Sequence, residues 1–212
     1  MKFELELRIR PNASQSVCTA HEYLSQSLVD LPESWAVSNL PKAIEPKPGE
    51  SEYFNLKKYT PKSLNGDLRY ASRDTLRDHK SSDDYMVFEF SSDYPGVDVL
   101  DREFIESLIL KLSPYYLYVG HSEFTFIDKE VRRKLNLRKD FCRFFPVTYF
   151  DDILCLNKFG IDSNRFFDKY SGRLEGVSIV NGGILYCSKQ IITGIDESEA
   201  INSKVHNILA GE

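Results

Sequence analysis

The sequence predicts an α+β fold: a single domain over residues 1–212, with a mixed, largely antiparallel sheet, packed helices and a C-terminal β-hairpin plus helix. Three observations predict it. Apolar and charged residues alternate strictly from Lys2 to Arg10. Short β-branched or aromatic runs recur between stretches of helical periodicity. Asn181-Gly182-Gly183 separates two such runs shortly before a capped helix. With 212 residues, 42% of them hydrophobic and 13% aromatic, the chain can bury a substantial core and does not have the composition of a disordered protein.

In order along the chain, Phe3, Leu5, Leu7 and Ile9 fall on one face of a strand and Lys2, Glu4, Glu6, Arg8 and Arg10 on the other. That pattern predicts an antiparallel or edge strand with one wet face. Pro11 stops it. Val17, Ala20, Leu24, Leu28 and Leu31 keep helical spacing up to Pro32, with Thr19 and Glu22 as a candidate capping box. Residues 32–82 read as a loop-rich region holding Pro41, Pro46, Pro48 and Gly49. Within it, one short strand is predicted around Tyr53–Leu56, a turn at Asn65-Gly66, and an exposed helical turn or loop over Arg69–Lys80.

Tyr85–Phe90 is nearly all apolar and predicts a central strand. A helix from Asp101 to Pro114 follows, then a strand at Tyr115–Val119. Ser122 is positioned to cap a helix with Phe124, Ile127, Val131 and Leu135 on its buried face and basic residues on the other. Pro146–Phe150 predicts another strand; the run after Asp151 is too short to type, and a short helix is expected from Asp162 or Ser163 to Tyr170. The closing hairpin is Gly176–Val180 with Ile184–Cys187, and Asp196 with Glu199 opens the last helix.

No apolar run approaches the ~20 residues that span a bilayer, and the alternating N-terminus lacks a signal peptide's continuous apolar region, so a soluble, cytoplasmic protein is expected. The four cysteines, Cys18, Cys142, Cys155 and Cys187, form no C-x-x-C and are expected as reduced thiols. The net charge is −5. Eight acids against one base lie between Asp83 and Glu106, and seven bases against two acids between Lys129 and Arg143. Each run reads as a solvated face, or the acidic one as a surface for a basic partner.

The chemistry-bearing residues form no recognised constellation. Asp151-Asp152 follows a strand, but neighbours on a strand point to opposite faces, so no metal site is predicted and helix capping explains the pair better. The four histidines, His21, His79, His121 and His206, lack ligand spacing. A Cys187–His206 nucleophile pair has nothing to lower the thiol pKa. Asn181-Gly182-Gly183 lies between strands and so is no phosphate cradle. Overall acidity argues against a nucleic-acid surface along Lys129–Arg143. Trp35, the only tryptophan, is read either as a lid on the core or as an interface anchor.

The order of elements resembles the polymorphic-toxin immunity proteins, in particular the family catalogued as immunity protein 52. The alternating first strand, the Trp35 loop, the aromatic strand Tyr115–Val119, the Thr148-Tyr149 strand, and Gly182-Gly183-Ile184-Leu185-Tyr186 before Asp196–Glu199 carry the resemblance. Phe145-Pro146-Val147 stands where that family tends to have Gly-Trp, and Ser198-Glu199-Ala200 replaces an expected histidine. The resemblance implies a non-enzymatic, cofactor-free inhibitor whose partner is a cognate toxin, often a nuclease. Trp35, Asp83, Asp84, Asp93 and Asp98 are the residues expected to meet that partner.

Overall fold

In the computed structural model, which describes residues 1–211, eight strands form one sheet in the order β2-β3-β4-β1-β5-β6-β8-β7. The strands are β1 (Lys2–Ile9), β2 (Ser51–Asn55), β3 (Asn65–Ala71), β4 (Asp84–Ser91), β5 (Tyr116–His121), β6 (Val147–Phe150), β7 (Val177–Val180) and β8 (Gly183–Cys187). Every neighbouring pair is antiparallel. The helices are α1 (Val17–Val29), α2 (Arg102–Leu112), α3 (Glu123–Ile127), α4 (Lys129–Lys134), α5 (Asp152–Phe159), α6 (Ser163–Tyr170) and α7 (Ile195–Ala210).

Side chains alternate across the sheet and build a separate core on each face. On one face Phe3, Leu5, Leu7, Met86, Phe88, Leu117, Val119, Tyr149 and Leu185 meet α1 and α2. Trp35 lies within this core, fully buried. Its indole Nε1 donates to Gly96 O at 2.8 Å and its ring meets Phe88, Phe90, Tyr94 and Phe104 with centroids 5.2–5.8 Å apart. A Cβ on Gly96 would stand 2.8 Å from that indole nitrogen, so the close approach requires glycine. On the other face Tyr116, Tyr118, Phe141, Phe144, Phe145, Phe150, Phe166 and Ile184 pack beneath α5, α6 and α7.

The hairpin forms as expected. Asn181 (φ +47°) and Gly182 (φ +75°) are the two turn residues, a type I′ geometry, and β8 is inserted between β6 and the edge strand β7. Helix α7 is capped two residues earlier than Asp196 suggests, at Gly194, whose N–H donates to Glu197 Oε2 at 3.0 Å. Helix α1 is capped by Ser16, whose Oγ accepts from Thr19 N–H at 3.0 Å, rather than by Thr19. Residues expected as a turn and a polar loop instead form β3, whose Leu68 and Tyr70 reach the core while Asp67 and Arg69 face outward. Ser122 adopts helical backbone angles and makes no side-chain cap.

The largest departure concerns β1. It lies in the middle of the sheet between β4 and β5, and its polar face is covered: Glu4 and Glu6 are each 7% exposed. Arg8 Nε donates to Glu6 Oε1 at 2.6 Å and Arg132 Nη2 to Glu6 Oε2 at 3.0 Å. Thr125 Oγ1 donates to Glu4 Oε1 at 2.6 Å, and the Tyr118 hydroxyl donates to both carboxylates. The α3–α4 segment therefore departs in part from the sequence reading: Phe124 is buried as expected, but it shares the covered side with polar residues. Thr125 and Arg132 point at the sheet and Asp128 at Arg143, whereas Ile127 and Val131, expected in the core, are 60% and 51% exposed. Lys80 Nζ bonds the Arg132 and Arg133 carbonyls, placing a cation at the C-terminal end of α4. Two further bases of the expected solvated patch also point inward: Arg138 Nε donates to Asp83 Oδ1 at 2.7 Å and Arg143 Nε to Asp128 Oδ2 at 2.7 Å.

Burial pushes the Glu6 carboxyl up, but Arg8 and Arg132 outweigh it and hold Glu6 at about 2. Burial beside Glu6 raises Glu4. A carboxyl whose folded pKa lies below its unfolded one contributes stability above the unfolded value of 4.5, and that contribution is lost as pH falls toward 2. Glu6→Gln is expected to cost about 3 kcal/mol at pH 7, because it leaves two buried guanidinium groups short of a partner. It should also flatten the loss of stability expected between pH 4.5 and 2 when wild type and variant are compared in urea melts. Trp35→Ala is expected to cost about 4 kcal/mol in the same assay through the cavity it opens.

Candidate partner-binding groove

The five residues expected to meet a partner separate by burial. Trp35 belongs to the core, as the lid reading had it, so it is no interface anchor. Asp83 is fully buried, bonded by Arg138 and by the Tyr115 hydroxyl at 2.5 Å. Asp84 is 5% exposed and holds Arg73 through two bonds of 2.8 and 2.7 Å. Neither carboxylate is free to meet a partner, because an internal arginine already occupies it. Asp93 and Asp98 remain exposed. Asp93 has its carboxyl lowered by a bond from Ser91 and by its own backbone N–H.

These two acids lead into the start of α2, where Asp101 and Glu103 are exposed as well. Asp101 caps the helix, accepting from Phe104 N–H at 2.8 Å, and Arg102, the only base in the run, is bonded to Glu106 at 2.8 Å. The uncompensated charge at this end of α2 is therefore negative. Beside it opens a groove of about 750 Å³ between the start of α2, the segment after β8 and helix α7. Val97, Leu100, Ile191, Ile192 and Ile201 supply its apolar wall, and Asp101, Arg102 and Lys204 stand among its polar lining. Helix α7 and β8 position this wall, so the C-terminal hairpin and helix line the groove as well as complete the sheet. The Ile191-Ile192 pair in an otherwise polar loop was the one local signal for it.

The remaining chemistry-bearing residues have structural partners. Asp151 caps α5, accepting from Leu154 N–H at 2.8 Å, and pairs with Arg10. Asp152 accepts from Ser163 N–H at 2.7 Å. Cys187 and His206 belong to opposite faces of the sheet: Cys187 packs in the α1–α2 core, and His206 stands edge-on to Phe144 in the other. Burial raises the Cys187 thiol and pushes Cys155 up to about 12. His121 is buried against Phe3, its Nδ1 accepting from Glu123 N–H at 3.3 Å. Among the described residues, no group of three or more His, Cys, Asp or Glu is placed to hold a metal ion. No helix among them is long and apolar enough to cross a membrane.

No protein-family model matches this sequence, and no curated protein does. The fold does have a solved counterpart. The Pseudomonas aeruginosa T6SS protein PA0821 superposes with a TM-score of 0.57 at 10% identity, over 99% of this chain and 72% of that one. At that identity the likeness establishes the fold.

The thiols give a direct check on the packing described. Ellman's reagent is expected to reach Cys18 and Cys142, which are partly exposed, in the native protein, and Cys155 and Cys187 only once the chain is unfolded.

Proposed function

We propose that the protein is an immunity protein that binds a cognate antibacterial toxin and occludes its active site, without chemistry of its own. The observation that carries this reading is an apolar groove lined at one end by Asp101, which continues in sequence from the exposed acids Asp93 and Asp98 to Glu103, none of them bonded to an arginine or lysine among the described residues. A partner segment seated in the groove buries apolar surface there, and the acids beside it favour a basic rim such as a nuclease cleft presents. Apolar burial supplies affinity, while the acids steer association and select the partner. A stable complex of this kind buries about 1,600 Å² in total.

Two further features support it. A protein of similar fold is named as a T6SS protein, which is compatible with a role connected to that secretion system. The residues that most invite a catalytic reading, Asp151, Asp152 and Cys187, are engaged in helix capping or core packing.

Co-expression with the product of the neighbouring gene is expected to yield a stable complex and to restore growth of cells that the toxin alone arrests. Asp98→Lys combined with Glu103→Lys is expected to weaken the complex by about tenfold or more, mostly through a slower on-rate, and to reduce its salt dependence. Failure of the wild-type chain to bind any product of its own operon would contradict the proposal.

A further inference from the structure

The two walls of the α2–α7 groove differ in charge. Its apolar lining is open to a partner, since Val97, Ile191, Ile192 and Ile201 are each half-buried rather than closed into the core. Most charged side chains in the lining are already paired: Arg102 is bonded to Glu106 at 2.8 Å, and Glu175 meets Lys189 at 3.3 Å. Asp101 and Lys204 are not, for neither makes an ion pair among the described residues. Asp101 stands at the start of α2, and Lys204 is the only base of α7, on the opposing wall. The acids of α7 lie outside the lining; Glu197 accepts from Gly194 N–H and Glu199 pairs with Arg143.

We infer that the segment this groove takes is a bipolar peptide segment of the partner, an assignment that rests on reading the groove as the partner-binding site. It carries two or more branched or aromatic side chains for the apolar wall, a Lys or Arg that faces Asp101, and an Asp or Glu that faces Lys204. The charges select it through desolvation. A segment seated in the groove takes water away from both charges, and a charge that loses water without gaining a counter-charge weakens the complex. A wholly apolar segment leaves Asp101 and Lys204 both unpaired. A wholly basic one satisfies Asp101 but sets like charge against Lys204, and a nucleic acid meets Asp101 with its own sign. Asp98 and Glu103, exposed on either side of Asp101 in sequence, extend the preference for base at the α2 end alone. The same groove therefore fixes which way round the segment lies.

Random short peptides displayed on phage and selected on the immobilised full chain test this without any toxin. Enriched sequences are expected to hold a base and an acid on opposite sides of an apolar run, and Ile201→Asp, which breaks the apolar wall, should lose them. With the most enriched peptide in fluorescence anisotropy, Lys204→Glu is expected to raise Kd by about tenfold or more, and changing the peptide's acid to lysine should recover the loss. Lys204 is exposed, so the far-UV spectrum of Lys204→Glu should match the wild type. Asp101→Asn keeps an acceptor for Phe104 N–H and should weaken binding by about threefold through the charge alone. Peptides of a single charge sign, peptides that Ile201→Asp still holds, binding indifferent to Lys204→Glu, or no enrichment at all would each overturn the inference. Co-expression separates it from the immunity reading. A toxin complex together with peptides of one sign removes the bipolar segment and leaves that reading. Bipolar peptides with no partner from the operon remove the reading and leave the segment.

Discussion

The structure depends on how two carboxylates are held in the middle of the sheet. Glu4 and Glu6 sit on the central strand with 7% of their surface exposed, where an unpaired carboxylate costs several kcal/mol. Only a dense set of donors offsets that cost, and they come from three places in the chain. Arg8 lies on the same strand, Tyr118 on the neighbouring strand, and Thr125 with Arg132 on the segment above. Supplying the last two turns Thr125 and Arg132 toward the sheet, on the same covered side as the buried Phe124. The apolar side chains it carries at 126, 127 and 131 then have nowhere to go but outward. One requirement inside the sheet thus sets the character of a surface outside it.

Much of the fold was legible in the sequence because it is local. The period-2 run of β1, the Asn181-Gly182 turn, α2 before Pro114 and α6 after Asp162 each carry their own signal within a few residues. What covered each face was not legible. Alternation shows that the two sides of β1 differ, but it cannot show that Arg132, 126 positions after Glu6, will close over the charged side. The same limit explains α3–α4, expected as one helix: it is two short helices in which Phe124 is buried as expected while Ile127 and Val131 are exposed. It also explains β3, where Leu68 and Tyr70 alternate with polar residues inside a stretch that composition marks as loop.

The candidate site divides in the same way. Asp83 and Asp84 look no different in sequence from Asp93 and Asp98. The first two are buried because Arg138 and Arg73 fold onto them; among the described residues no arginine folds onto the second two, and they stay in water. Trp35, read as a core lid or an interface anchor, is settled as the former by Gly96, which lets the indole approach the backbone. The groove beside α2 draws its walls from residues 97 to 204, a set that only the assembled sheet brings together. The toxin-binding proposal therefore rests on the acids that internal arginines leave unclaimed.

The dependence of α3–α4 on the buried carboxylates is measured most directly by amide hydrogen exchange on wild type and Glu6→Gln at neutral pH. If Glu6 pins the segment through Arg132, protection over residues 123–134 falls by about tenfold or more in the variant, while β5, β6 and β8 keep theirs. Unchanged protection over 123–134, or a uniform fall across the whole sheet, would contradict the account.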